Sequence, residues 1–360
     1  MAVKTISPQQ AYAKLSSGEL RLIDIRQSYE LLTGMAQGAE AIEQAVLEQR
    51  QYQQEILDAD SSIALICQRG IRSAELGQYI MRENDVEVFS VDGGMHAWKA
   101  AELPLHWPQS ELNRDERERY LRHLALPQIG LEGQLKLRKG RVLLIGAGGL
   151  GSPAALYLAA AGVGHIGIVD DDVVELSNLQ RQILHSTSRL GQAKVESAKT
   201  HLLELNDQID ISVYPQRLTA ENIEEIVTNY DLVLDGSDNF PTRYLVNATC
   251  IRFGKPLVYG AVQQFSGQVS VFHAAADNPS PCYGCLFPES ASAEDAPNCA
   301  QAGVLGVVPG VIACLQATEA IKYLLGVGEL LLGRLLVFDA LAMRFRELRI
   351  PRDPKCDFCS

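Results

Sequence analysis

The chain has 360 residues, 47% of them hydrophobic and 21% charged, with a formal net charge of −12. That length exceeds the roughly 250–300 residues at which one core stops growing, so two domains are predicted, and the composition excludes disordered, collagen-like and coiled-coil chains. The acidic balance argues against general nucleic-acid binding, which needs a basic face, though not against a local cationic pocket. The opening MAVKTISPQQ lacks the apolar core of a signal peptide. The most apolar stretches, 154–169 and 304–325, are interrupted by Gly, Pro or charged residues and do not read as membrane spans. A cytoplasmic protein is expected. The chain has eight cysteines, and in a reducing compartment ligand or nucleophile roles are favoured for them over disulfides.

In chain order, strands are predicted at Leu20–Ile25, Ser62–Cys67 and Val86–Val91. Helices are predicted at Pro8–Leu15, Glu43–Leu57, Ser73–Arg82 and Met95–Ala100. The alternation predicts a small parallel α/β domain. Charge does not mark where it ends, since residues 1–108 and the remainder each carry −6. The stretch Glu102–Glu116 does, with two prolines and little periodicity, and the division is placed at residues 1–106, a linker 107–112, and residues 113–360.

The second segment repeats the theme at larger scale. Strands are predicted at Arg141–Ile145, His165–Asp170, Ile209–Tyr214, Asp231–Asp235, Pro256–Tyr259, Gln268–Phe272 and Leu335–Phe338. Helices fall at Gly151–Ala161, Gln192–Glu204 and Thr242–Phe253, and Leu305–Leu325 is apolar almost all round, which predicts a buried helix. The pattern is a Rossmann-like doubly wound sheet with a nucleotide site at the strand C-termini.

Arg141–Ile145 runs into Gly146-Ala147-Gly148-Gly149-Leu150-Gly151, whose Gly146, Gly148 and Gly151 fit G-x-G-x-x-G. Such a loop lets backbone N–H groups approach a phosphate at a helix N-terminus. Asp170 ends the next strand where a ribose-binding acid belongs. Spacing alone suits NAD as well as ATP. The run Ser177-Asn178-Leu179-Gln180-Arg181, then Lys194, then Asp238-Asn239 after another strand end, favours a phosphate clamp with Mg²⁺.

At this point residues 114–359 resemble the MoeB/ThiF family, bacterial relatives of ubiquitin-activating enzymes. The matching strings include RYLRH (Arg119–His123), LPQIGLEGQ, GAGGLGSP, SNLQRQ, GQAKVESA, DGSDNFPTRY, CYGCLFPE and CAQAGVLG. The resemblance implies Mg-ATP-dependent adenylation of the C-terminal Gly-Gly carboxylate of a ubiquitin-like sulfur carrier, in molybdopterin or thiamine-type cofactor biosynthesis. It implies that Gly149 faces the phosphates with Asn178, Arg181 and Lys194, that Asp170 meets the ribose, and that Asp238 holds Mg²⁺ beside Asn239. It also implies a homodimer in which Arg122 reaches the partner subunit's nucleotide. Adenylation of a peptide or a tRNA nucleoside, and non-catalytic binding of nucleotide or carrier, are the competing readings.

Cys282-x-x-Cys285 and Cys356-x-x-Cys359 are spaced for a tetrahedral Zn²⁺ site or for two redox pairs. The family resemblance implies zinc, stapling the chain end onto a distant loop. Cys299, in a polar run, is a nucleophile candidate, and relatives use a cysteine here covalently or dispense with it. Cys250 and Cys314 lie on apolar helical stretches and read as core residues.

Cys67 opens Cys67-Gln-Arg-Gly-Ile-Arg-Ser73 at a strand-to-helix turn. Backbone N–H groups, a helix N-terminus, Arg69 and Arg72 would favour a thiolate or persulfide there; the bland alternative is a strand-end cysteine. Residues 6–104 resemble a rhodanese-like domain through LIDIR, CQRGIRSA and DGGMHAWKAAELP. The resemblance implies a persulfide on Cys67, a cysteine desulfurase as sulfur donor, and Asp24 and Arg26 bracing the loop. The stretch after Glu30 lacks the family's usual histidine and proline. Better-known fusions of these modules place the rhodanese part last; here it comes first.

Overall fold

The computed structural model describes residues 3–49, 62–84, 87–276, 280–288 and 303–360. It divides into two compact units, Met1–Leu131 and Glu132–Ser360.

The first unit is built on five parallel strands in the order β1-β6-β5-β2-β4: β1 (Lys4–Ile6), β2 (Leu20–Asp24), β4 (Glu40–Ala41), β5 (Ser62–Ile66) and β6 (Val88–Val91). A separate antiparallel pair joins β3 (Met35–Ala36) to β7 (Leu105–His106). β2 and β5 are apolar runs because a central parallel strand is covered on both faces. One face packs Leu22, Ala64, Ile66, Met95 and Trp98, and the other Ile23, Ile63, Leu65 and Leu76. The first helix, Pro8–Ser16, starts where it does because Ser7 and Gln10 form a capping box with Pro8 next to the cap. Of the predicted helix Glu43–Leu57, the described part is the short Gln44–Leu47, and residues 50–57 lie outside the described residues. Residues 107–119 belong to this unit. Arg114 stacks over Trp107 at 5.0 Å, and Arg117 donates to the carbonyls of Leu112 and Leu32.

Among the described residues, the second unit forms an eight-stranded sheet in the order β10-β9-β8-β11-β12-β13-β14-β15. These are β8 (Arg141–Ile145), β9 (His165–Val169), β10 (Asp210–Tyr214), β11 (Leu232–Asp235), β12 (Leu257–Gln263), β13 (Ser266–Phe272), β14 (Arg334–Asp339) and β15 (Arg344–Arg349). The first five run parallel and the last three antiparallel. Strand order reverses at β8, with β9 leaving to one side and β11 lying on the other. That is the switch point where open α/β sheets bind ligands at their strand C-termini. Helices Gly151–Ala161, Lys194–Leu205 and Phe240–Arg252 follow the strands.

The helix predicted at the end of this unit runs from Val307 to Leu325 and packs on β12, β13 and the helix Gly151–Ala161. It is long and apolar enough in composition to cross a membrane, and its packing accounts for only part of its apolar content. It is not buried all round: Val308, Ile312, Gln316 and Ala320 face inward, whereas Val307 is 67% exposed.

Candidate functional site

The glycine loop, the end of β9 and the end of β11 converge on a cavity of about 580 Å³ within the second unit. Its lining includes Gly146, Gly148, Gly149, Asp170, Asn178, Gln180, Arg181, Lys194, Asp238 and Asn239, so most of the nucleotide-site residues expected from sequence are brought together. Ser177, Leu179 and Gly151 are not in that lining. Gly151 closes the turn instead: a Cβ there would meet the Gly146 carbonyl oxygen at 1.9 Å, and only glycine allows the helix to start so close to the strand end.

The loop is fixed at Ala147, which leaves its glycines facing the cavity. The Ala147 N–H donates to Asp170 Oδ2 at 2.8 Å, and its carbonyl accepts from Ser152 Oγ and from His185 Nε2, both at 3.0 Å. Asp170 therefore braces the loop while it lines the cavity. Lys194, 5% exposed, starts its helix and places Nζ 2.8 Å from Asp172 Oδ2. Arg181 lies along Gly149 and donates to the Ser177 carbonyl at 3.2 Å. Two asparagines serve the local turns. Asn178 Oδ1 accepts from the Glu175 N–H, and Asn239 caps its helix by accepting from the Thr242 N–H. Asp238 is exposed at the cavity.

Four cations (Arg181, Lys194, Arg217, Arg243) and four carboxylates (Asp170, Asp171, Asp172, Asp238) line the cavity. A net-acidic chain thus presents a locally balanced pocket suited to an anion accompanied by a cation. Arg217, Arg243 and Gln182 were not singled out from sequence. Gln182 and Arg243 are buried polar residues, a signal that appears only once the helix and turn faces are known.

The four cysteines of the two C-x-x-C pairs also meet. Sγ–Sγ distances are 3.5 Å for Cys282–Cys356 and Cys285–Cys359 and 3.9 Å for Cys282–Cys285, and all four sulfurs lie within 4.8 Å of one another. Disulfides require about 2.05 Å. A tetrahedral site with Zn–S bonds of about 2.3 Å places sulfurs about 3.8 Å apart, so the donor set fits such a cation. Phe358 lies against Gly284, where a Cβ would meet its ring at 2.4 Å, and stacks on Tyr244 at 5.6 Å.

In the first unit, Cys67 directly follows β5 and is 1% exposed. Its Sγ accepts from the Gly70 N–H at 3.2 Å and from the Ser73 N–H and Oγ–H at 3.4 Å. Gly70 caps the following helix, Ile71–Glu83, with a φ of +85°. Gly94 backs the loop where a Cβ would meet the Cys67 carbonyl at 2.2 Å. Behind it, Arg26 and Asp24 form a fully buried ion pair at 2.7 Å, and Arg26 also donates to Gln68 of the loop at 3.2 Å. Arg72 is tied to Glu30 at 2.6 and 2.9 Å, while Arg69 is exposed. Burial alone would raise the Glu30 carboxyl, but hydrogen bonds from Arg72 and the Gln27 backbone, with the Arg72 charge, hold it below the ordinary carboxylate range. Arg72 thus divides its charge between Glu30 and the Cys67 loop, whose backbone N–H groups supply the direct contacts to Sγ.

Arg122 lies on the short helix Leu121–Leu124 of the first unit. Cys299 lies outside the described residues. Cys250 is 2% exposed, and burial raises its thiol pKa; Cys314 is half-buried and raised for the same reason.

The ThiF family model matches residues 120–358, and the rhodanese-like domain model matches residues 7–101. A sulfur carrier protein adenylyltransferase of Thermus thermophilus is 50% identical over 248 residues, 68% of this chain and 92% of that protein. A probable adenylyltransferase/sulfurtransferase MoeZ of Mycobacterium tuberculosis is 49% identical over 252 residues, 70% of this chain. The matched region spans 64% of that longer protein. Among solved structures, E. coli MccB with ATP aligns with a TM-score of 0.58 at 24% identity, covering 70% of this chain and 75% of that one, which shows a shared fold.

Proposed function

Because the chain belongs to the ThiF family and carries a rhodanese-like domain ahead of the ThiF region, we propose that it adenylates the C-terminal Gly-Gly carboxylate of a ubiquitin-like sulfur carrier of the molybdopterin or thiamine type and delivers sulfur to it. The observation that carries this reading is the cavity in which the glycine loop, Asp170, Arg181, Lys194 and Asp238 meet at the sheet's switch point. The name of the Thermus thermophilus relative supports the substrate class, and that of the Mycobacterium tuberculosis relative supports pairing adenylyl transfer with sulfur transfer.

In this reading residues 113–360 bind ATP. The backbone of Gly146, Gly148 and Gly149 approaches the phosphates, Asp170 meets the ribose, and the Ser177–Arg181 turn with Lys194 and Arg217 carries the cationic contacts. Asp238, with Asn239 beside it, holds Mg²⁺, which supplies charge neutralisation for the departing pyrophosphate. The carrier carboxylate oxygen attacks the α-phosphorus. A P–O bond to the carboxylate forms, the bridging bond to the β-phosphate breaks, and pyrophosphate leaves. The chain's own contribution is to hold two anions together and neutralise them, which is positioning and electrostatics in place of covalent chemistry. Arg122 contributes to the nucleotide site of a second copy, making the unit a homodimer.

Residues 1–106 carry the sulfur as a Cys67 persulfide, loaded by a cysteine desulfurase. The donors of Gly70 and Ser73 around Sγ favour an anionic sulfur there. The terminal persulfide sulfur attacks the acyl carbon and AMP leaves. Two thiol equivalents then cleave the resulting acyl disulfide, releasing the thiocarboxylate and restoring the Cys67 thiol; Cys299 is one candidate for the first of them. The four-cysteine site holds Zn²⁺, which joins the chain end to the Cys282–Cys285 turn as a structural element. The setting is cytoplasmic, where the thiols stay reduced.

Carrier-dependent ATP–pyrophosphate exchange tests the proposal. Asp238→Ala should abolish exchange and Cys67→Ala should leave it intact. Exchange that proceeds without any Gly-Gly carrier would sink the carrier assignment.

A further inference from the structure

Arg243 lies between the nucleotide cavity, which it lines, and the aromatic cluster beside Cys282. It lies on the helix Phe240–Arg252, lines the cavity, and is only 8% exposed. Its Nη2 donates to the Ser237 carbonyl at 2.8 Å and, more weakly, to the Gly260 carbonyl at 3.4 Å. The Ser237 carbonyl belongs to the peptide that joins Ser237 to Asp238. The N–H of the same Ser237 donates to Asp235 Oδ1 at 2.8 Å, and Asp235 Oδ2 lies 3.7 Å from Arg243 Nε. One buried ion pair therefore holds both backbone polar groups of the residue preceding Asp238. Gln316 fixes the other end of the turn by donating to the Asp235 carbonyl at 2.7 Å.

The guanidinium is in turn fixed from the metal side. It stacks over Tyr259 at 5.4 Å, and Tyr283, which directly follows Cys282, packs its ring on the same Tyr259 with centroids 5.4 Å apart. The Tyr283 N–H donates to Asn247 Oδ1 at 3.0 Å, on the same helix as Arg243. The Tyr283 hydroxyl, Ser237 Oγ and Arg243 Nε are all buried without a hydrogen-bond partner among the described residues. A native fold seldom leaves such a group of buried polar atoms without hydrogen bonds unless ordered water or a function retains it. Coordination at the cysteines would set Tyr283, Tyr283 would set Arg243, and Arg243 sets the peptide that aims Asp238.

We propose that Arg243 is a positioning residue for Asp238, and that Tyr283 couples its placement to the four-cysteine site. The proposal rests on the adenylation reading for its kinetic consequence but not for its structural one. A lysine at 243 keeps the charge opposite Asp235 and loses the planar guanidinium that sets Nη2 on the Ser237 and Gly260 carbonyls while Nε faces Asp235. Misplacing a reacting group by about 1 Å costs about 100-fold in rate.

The test compares Arg243→Lys and Tyr283→Phe with the wild type in the full-length protein. Three quantities are measured: bound zinc, amide hydrogen exchange of the 235–239 segment, and carrier-dependent pyrophosphate exchange with KM and kcat separated. Arg243→Lys should retain zinc and the ATP KM, lower kcat about 100-fold, and speed amide exchange in 235–239. Tyr283→Phe should do the same to a smaller degree. Unchanged amide exchange in 235–239 in both variants overturns the proposal whatever the activity. So does a rise in KM at constant kcat, or loss of zinc together with global destabilisation in Tyr283→Phe. A wild type with no carrier-dependent exchange would overturn the adenylation reading alone, and amide exchange would still decide the positioning role.

Discussion

His185 shows how much of the glycine loop depends on a side chain outside it. Its Nε2 lies 3.0 Å from the Ala147 carbonyl and its Nδ1 2.9 Å from Ser197 Oγ. A carbonyl only accepts, so a proton sits on Nε2; the serine hydroxyl can donate to Nδ1 of the neutral ring. Burial, opposed in part by the Ala147 hydrogen bond and aided by the Lys194 charge, lowers its pKa below 6.5. The sign follows from proton linkage. Below about pH 6.5 the unfolded chain binds a proton that the folded chain refuses, so this residue's stabilising contribution is present above that pH and is lost as pH falls. Denaturant midpoints measured from about pH 7.5 to 5.5 should fall more steeply in the wild type than in His185→Gln; equal slopes would refute the assignment. Gly149, Asp170 and Cys67 were legible because each belongs to a contiguous string at a strand end. His185, Arg217 and Arg243 were not, because no spacing rule marks a buried polar residue whose partner lies far away in sequence.

Among the elements, β8, β9 and β11 were readable as apolar runs, since parallel strands are covered on both faces. β15 gave no such signal. Arg344 and Arg346 alternate with Phe345 and Glu347 along it, every residue is exposed, and antiparallel pairing with β14 holds it in place. The Val307–Leu325 helix misled in the opposite direction: its apolar residues exceed what one buried face requires. The strand-to-helix junction after β8 makes a sharper prediction. Gly151→Ala drives a methyl into the Gly146 carbonyl, and should cost about 1–3 kcal/mol of second-unit stability with loss of nucleotide binding. Unfolding curves and binding of a non-hydrolysable ATP analogue check it. At the chain end, chelation or Cys356→Ser should lower the second unit's unfolding temperature and leave the first unit's unchanged, as judged by calorimetry on the full chain. A second unit indifferent to chelator would argue against a coordinated metal.

At the scale of the whole molecule, each unit has its own sheet, its own core and its own chemical centre: Cys67 in one, the nucleotide cavity in the other. Their activities should separate by mutation. Cys67→Ser should lose sulfur transfer and keep carrier adenylation, whereas Asp238→Ala should keep the Cys67 persulfide and lose both adenylate and thiocarboxylate. The two-part organisation was legible from length and from the repeated strand–helix alternation. The role of residues 107–119 was not, because Arg114 and Arg117 make their contacts through tertiary packing that composition does not encode. The most direct test of the proposed function is the mass of a Gly-Gly-terminated carrier after incubation with Mg-ATP and the Cys67-persulfidated protein. The expected result is an ATP-dependent exchange of one carrier oxygen for sulfur in the presence of thiol, stopping at the adenylate in Cys67→Ser. A carrier that stays unmodified under these conditions, with every Gly-Gly carrier of the source organism, would contradict it.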